Sequence, residues 1–134
     1  MKTVLVTRRV PQEVISRLQQ HFVVRTNEED VLLSGAALIA RAKGCWGVFA
    51  NLTERFDKEV ISALLPELKI ISTMSVGINH IDAEYAKQQQ VMVANTPGVL
   101  TETTADLALA LMLATCRRVT EAEIYLRNGQ WKEW

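Results

Sequence analysis

Short β-branched and apolar runs recur along this chain at Thr3 to Thr7, Phe22 to Arg25, Trp46 to Ala50, Lys69 to Thr73 and Val91 to Ala94, with helical patterns between them. That alternation is the strongest constraint on what the chain can fold into. Strands covered on both faces read as near-continuous apolar runs, and strands separated by helices join into a parallel sheet through right-handed crossovers. The expected architecture is therefore α/β, a flavodoxin-like, doubly wound sheet of five parallel strands in the order 2-1-3-4-5.

The segments between the runs carry their own signals. Val14, Ile15, Leu18 and Phe22 recur near helical spacing behind Pro11, a residue suited to a first helical turn. A second helix is expected over Leu32 to Ala40, stopped near Gly44. Asp57 caps a third through Val60, Ile61, Leu64 and Leu65, halted before Pro66, and Ile81 to Gln89 supplies a fourth. After Asn95-Thr96-Pro97-Gly98, Thr103-x-x-Asp106 has the form of a capping box with Asp in the place of Glu, and it opens a long helix that Asn128-Gly129 closes. Leu107 to Ala114 is apolar on every side, which predicts burial. Val119, Ala122 and Leu126 form only a stripe, so the helix should change environment near Arg117. With Trp131 and Trp134 behind it, this apolar helix calls for a neighbouring surface.

Composition excludes several classes of function. Fifteen basic residues balance fifteen acidic ones, and the pairs Arg8-Arg9 and Arg117-Arg118 are too short to form a basic patch, so no nucleic-acid partner is expected. No apolar run suits a signal peptide or a bilayer span, so no membrane partner is expected either. Cys45 and Cys116 lie far apart amid apolar residues and read as reduced core residues, which implies a cytoplasmic protein without a metal site.

The stretch most suited to a ligand is Ile70 to Asp82, Ile-Ile-Ser-Thr-Met-Ser-Val-Gly-Ile-Asn-His-Ile-Asp. It leaves the fourth strand and turns at Gly77, where a positive φ would let successive backbone N–H groups face outward. In open α/β sheets ligands bind beyond the carboxyl ends of the strands, and a small anion suits such amides. The simpler reading is an ordinary strand-to-helix turn.

Together, Ile71 to Asp82, Asn95-Thr-Pro-Gly98, Leu100-Thr-Glu-Thr-Thr-Ala-Asp106, Arg117-Arg118 and Asn128-Gly-Gln-Trp131 resemble the D-2-hydroxyacid dehydrogenases, and among them the glyoxylate/hydroxypyruvate reductase branch. The resemblance covers the whole chain. Members commonly carry an acidic residue where this chain has Asn79. The resemblance implies a substrate domain at 1–100, with 101–134 as a hinge helix leading into a cofactor domain. It implies that the amides of Val76 and Gly77 hold the substrate's carboxylate, that Asn51 and Leu52 wall the pocket, that Thr104 lies near an NAD or NADP cofactor, and that Trp134 reaches the pocket of a neighbouring subunit in a homodimer.

The family's dinucleotide fingerprint, Gly-x-Gly-x-x-Gly, does not occur among Gly35, Gly44, Gly47, Gly77, Gly98 and Gly129. The Arg, Glu and His that serve catalysis in the family have no place in the matched motifs, and His21 and His80 read as partly exposed structural residues. The chain is thus expected to supply the substrate-binding part of an NAD(P)-dependent reductase of small 2-keto acids, glyoxylate or hydroxypyruvate, and to be inactive with no bound cofactor by itself. The alternative is a stand-alone flavodoxin-like carboxylate-binding or regulatory module. It could be neither a receiver domain nor a flavodoxin, because Thr7-Arg8-Arg9 and Asn51 stand where acidic or phosphate-binding residues would be needed.

Overall fold

The computed structural model describes residues 1–134, which divide into two compact units, Met1–Pro97 and Gly98–Trp134. The first holds β1 (Thr3–Val6), α1 (Gln12–Gln19), β2 (Val23–Thr26), α2 (Gly35–Ala42), β3 (Gly47–Ala50), α3 (Lys58–Ala63), β4 (Ile70–Thr73), α4 (Ala83–Gln88) and β5 (Met92–Ala94). All four strand pairings are parallel, and the order is β2-β1-β3-β4-β5, as the alternation predicts.

Register explains which side chains form the core. Leu5, Val48, Ile71 and Val93 align across four strands, and the first three are buried against Leu38, Ile61, Leu64 and Leu68. Full burial of one such side chain stabilises the fold by about 1.5 to 3 kcal/mol. The adjacent row, Val4, Gly47, Ile70 and Met92, belongs to the opposite face because side chains alternate along a strand. Gly47 is required there: a Cβ at this position would lie 2.8 Å from Ile70 Cγ2.

Local chemistry sets the helix starts. The Asp57 side chain accepts from the Val60 N–H at 3.0 Å, and Asp82 accepts from the Tyr85 N–H at 2.9 Å, which satisfies first-turn donors at α3 and α4. The second helix begins at Gly35 rather than Leu32, because Ser34 takes the extended N-cap conformation. Leu33 is nonetheless buried in the preceding segment.

The second unit departs from expectation in four respects. The anticipated single helix is two, α5 (Thr101–Cys116) and α6 (Val119–Arg127), because Arg118 adopts φ +52° and interrupts the helical backbone. Thr103 is not a capping residue: α5 has already begun, and the Thr103 hydroxyl donates back to the Leu100 carbonyl at 3.1 Å. Leu107, Leu109, Leu111, Met112 and Leu113 are exposed rather than buried, since α6 and the tail do not cover them. Cys116 is likewise exposed, whereas Cys45 is in the core. The C-terminal signal behaves as predicted. Gly129 has φ +65°, and Gln130 N–H closes the end on the Tyr125 carbonyl at 3.1 Å. Trp131 and Trp134 pack edge to face, 5.1 Å between ring centres. No helix is long and apolar enough to cross a membrane.

Candidate functional site

The carboxyl ends of β1, β3 and β4 feed three loops whose polar groups are tied together. The side chain of Glu54, completely buried, accepts from the Thr7 hydroxyl at 2.9 Å, the Asn51 N–H at 3.3 Å and the Thr53 hydroxyl at 2.9 Å. The Thr7–Glu54 bond joins the ends of β1 and β3, where the connections leave the sheet in opposite directions, the usual ligand position in open α/β folds. Asn51 Oδ1 also accepts from the Leu52 N–H at 2.7 Å, which fixes the turn that presents Leu52. This loop is fastened to the one after β4 by backbone bonds, Phe56 N–H to His80 O and Asp82 N–H to Phe56 O, both 2.8 Å. Between the two, Leu52, Arg55, Asn79 and His80 line an open depression of about 430 Å³. The anticipated wall at Asn51-Leu52 and the anticipated anion loop therefore sit at the same sheet end.

Within Ser75 to Ile78, carbonyls rather than amides are engaged. Ser75 O accepts from Thr96 N–H at 2.9 Å, Val76 O from Asn95 Nδ2 at 2.7 Å, and Gly77 O from the Ser75 hydroxyl at 2.8 Å. A trans peptide sets its N–H opposite its C=O, and the only cis bond in the chain is Leu65–Pro66. With these three carbonyls bonded to groups of the chain, the N–H groups of Val76, Gly77 and Ile78 point away from those partners, and none of them donates to another group of the chain. Half-exposed Val76 and exposed Gly77 thus present backbone donors to solvent. The reason is not the one the sequence suggested. Gly77 does not have positive φ, and a Cβ there would meet nothing within 4 Å.

A second polar chain supports the same loop. Ser75 donates to Gly77 O, so its oxygen accepts from Thr73, 2.8 Å away. Thr73 in turn accepts from His80 Nε2 at 3.0 Å. Counting protons along this line assigns His80 the Nε2–H form. Burial pushes the His80 pKa below its ordinary 6.5, partly opposed by Glu54. A histidine with a depressed folded pKa stabilises the fold above its unfolded pKa and loses that contribution as pH falls toward the folded value. We expect the unfolding midpoint of the chain to drop as pH is lowered below about 6.5, and the drop to shrink in His80→Gln. An identical acid profile for the two proteins would refute this.

Of the two arginines that follow β1, Arg8 has its side chain engaged, whereas Arg9 is exposed and uses only its backbone N–H. The Arg8 guanidinium pairs with Asp30 at 3.0 Å, and the Arg9 N–H donates to the same carboxylate at 2.8 Å. The Arg9 N–H, ahead of Arg8, holds the Asp30 pKa below the usual carboxylate range. Thr104 lies in the first turn of α5 with its N–H bonded to Leu100 O at 3.0 Å, and Trp134 is fully exposed. Both belong to the C-terminal unit. No group of three or more His, Cys, Asp or Glu is gathered as a metal would require.

The turns after β3 and β4 carry no glycine-rich opening onto their helices, and each helix start already holds a carboxylate that accepts from one first-turn N–H, Asp57 from Val60 and Asp82 from Tyr85, so a pyrophosphate placed there would meet like charge.

Residues 4–128 match the family described as D-isomer specific 2-hydroxyacid dehydrogenase, catalytic domain. The chain belongs to this family. Among its 2-hydroxyacid dehydrogenase relatives, a glyoxylate reductase of Korarchaeum cryptofilum is 42% identical over 129 residues, covering 96% of this chain and 39% of the relative. The human glyoxylate reductase/hydroxypyruvate reductase is 39% identical over 133 residues, covering 98% and 40%. A solved structure from Polaromonas, described as a NAD-binding D-isomer specific 2-hydroxyacid dehydrogenase, superposes with a TM-score of 0.81 at 36% identity, covering all of this chain and 42% of that one. The chain thus spans about two fifths of the length of these 2-hydroxyacid dehydrogenases.

Sequence reasoning missed Glu54, Thr7, Thr73, Ser75 and the partnership of Asn95 with Val76. One signal was available. Asn51-x-x-Glu54 has the spacing of a capping box, and the Glu54 carboxyl does reach back to the Asn51 N–H as in that motif, though no helix follows.

Proposed function

We propose that this chain is the carboxylate-holding part of the substrate domain of an NAD(P)-dependent reductase that converts small 2-keto acids, glyoxylate or hydroxypyruvate, to 2-hydroxy acids. The observation that carries this reading is the loop after β4, where the amides of Val76 and Gly77 have no partner in the chain while the carbonyls around them are bonded. Membership of the 2-hydroxyacid dehydrogenase family and the names of the relatives support the substrate class. Asn51 and Leu52 form the facing wall. The chain supplies the orientation of the acid group, and the nicotinamide, which provides the hydride, is bound by other parts of the enzyme. Thr104 and Trp134 serve the cofactor side and the neighbouring subunit of a homodimer, in keeping with the exposed apolar surface of α5 and α6.

Charge-assisted hydrogen bonds contribute about 1.5 to 3 kcal/mol each, and immobilising the ligand consumes much of that, so affinity in the millimolar range is expected. NMR titration with oxalate should move the amide signals of Val76 and Gly77 first and furthest. Val76→Ala should leave the effect intact, because the donors belong to the backbone. Static Val76 and Gly77 signals, with others moving, would remove the assignment.

A further inference from the structure

Resting on the carboxylate reading above, the structure assigns Asn95 as a positioning residue that latches the Val76–Gly77 peptide in its anion-facing orientation. A peptide rotates between two orientations by turning ψ of the residue before it and φ of the residue after it. For most of this loop that rotation is blocked, since it would drive a side-chain-bearing residue such as Ile78 into positive φ. The Val76–Gly77 peptide is the exception. The residue that follows it is glycine, which takes positive φ at no steric cost, and no other atom approaches within 4 Å of the position a Cβ would occupy.

Rotation of this peptide would exchange its two ends. The Gly77 N–H would point inward, and the Val76 carbonyl oxygen would stand where the carboxylate is to be held, repelling it. The structure shows the other orientation, with Gly77 outside the positive-φ region. Asn95 Nδ2 holds the Val76 oxygen at 2.7 Å, and the Asn95 backbone is anchored nearby, since its neighbour Thr96 donates to Ser75 O at 2.9 Å. Ser75 holds the following carbonyl, Gly77 O, at 2.8 Å, but that peptide precedes Ile78 and is already confined. The Asn95 amide therefore does what sterics cannot do at a glycine. It connects β5 to the anion loop of β4 and keeps a donor, not an acceptor, in front of the ligand.

The latch is tested by a cycle of Asn95→Ala and Gly77→Ala in the 134-residue chain, with oxalate as the probe. Asn95→Ala frees the peptide and should weaken oxalate binding about tenfold, the ratio expected from losing one hydrogen bond. Gly77→Ala alone supplies the reference affinity against which the double variant is read; its backbone is not in the left-handed region, so the substitution does not itself force the flipped state. In the double variant, alanine penalises the positive φ of the flipped state, so most of the lost affinity should return. A merely structural role for Asn95 predicts no such rescue. Residual dipolar couplings of the N–H at position 77 should show reorientation in Asn95→Ala and its reversal in the double variant. Unchanged affinity in Asn95→Ala, or equal losses with and without Gly77→Ala, would overturn the proposal. If the parent's Val76 and Gly77 amides ignore oxalate, the carboxylate reading fails on its own, and the Gly77 N–H orientation in the Asn95→Ala chain still decides the latch.

Discussion

Mixed with NADH or NADPH and glyoxylate, the purified 134-residue chain is expected to leave the nicotinamide absorbance unchanged, while human glyoxylate reductase/hydroxypyruvate reductase run beside it consumes the cofactor. Hydride transfer needs the nicotinamide held against the keto carbon, a cation on the carbonyl oxygen and a proton donor. Positioning alone supplies about 7 to 11 kcal/mol of barrier reduction, many orders of magnitude in rate. On the proposed reading this chain offers one wall of such a site. At its turns after β3 and β4 the carboxylates of Asp57 and Asp82 stand at the helix starts, where a pyrophosphate would meet like charge. Of its two histidines, His80 is engaged through Nε2 in orienting Thr73. An NADH dissociation constant well below about 1 mM, which would need more than roughly 4 kcal/mol of binding free energy, would contradict this account. So would turnover at a rate comparable with the human enzyme.

The second large effect concerns stability. Glu54→Ala should lower the unfolding free energy of the chain by about 2 to 4 kcal/mol, measured by denaturant titration. Three donors converge on this buried carboxyl, the hydroxyls of Thr7 and Thr53 and the N–H of Asn51. Removing the acceptor leaves the Thr7 hydroxyl facing a cavity, with only a long contact of 3.4 Å to Phe49 O in reserve. Glu54→Gln keeps the shape and one acceptor oxygen, so it should lose less than half as much. A loss below about 0.5 kcal/mol for Glu54→Ala, the size of an ordinary surface substitution, would show that the network does not matter.

How much of this could be read from the residues follows from what each pattern reports. Strand order and the core row of Leu5, Val48 and Ile71 were legible because burial on both faces leaves continuous apolar runs, and chain connectivity then restricts the topology. Capping by Asp57 and the αL glycine at Gly129 were legible because each is a local hydrogen-bond requirement. Gly77 was misread for an equally physical reason: glycine permits a left-handed backbone without imposing one. The all-round apolar stretch from Leu107 reports what α5 is suited to pack against, whereas its exposure depends on what lies beside it. Arg118, a residue with no intrinsic preference for φ +52°, gave no warning that the helix would break there. Glu54 was hidden because a carboxylate in a polar loop is ordinarily solvated, and nothing local reveals that Thr7, 47 positions away, will meet it.

The bridge between Phe56 and Ile81 also bears on motion. Two backbone hydrogen bonds and two buried side chains fasten the loop after β3 to the loop after β4, so these segments cannot swing apart without breaking buried structure. They form a single rigid jaw. On the proposed reading, the wall at Leu52 and the loop that would hold the carboxylate share one backbone anchor, so a substitution that broke the Phe56–Ile81 bridge is expected to loosen both together.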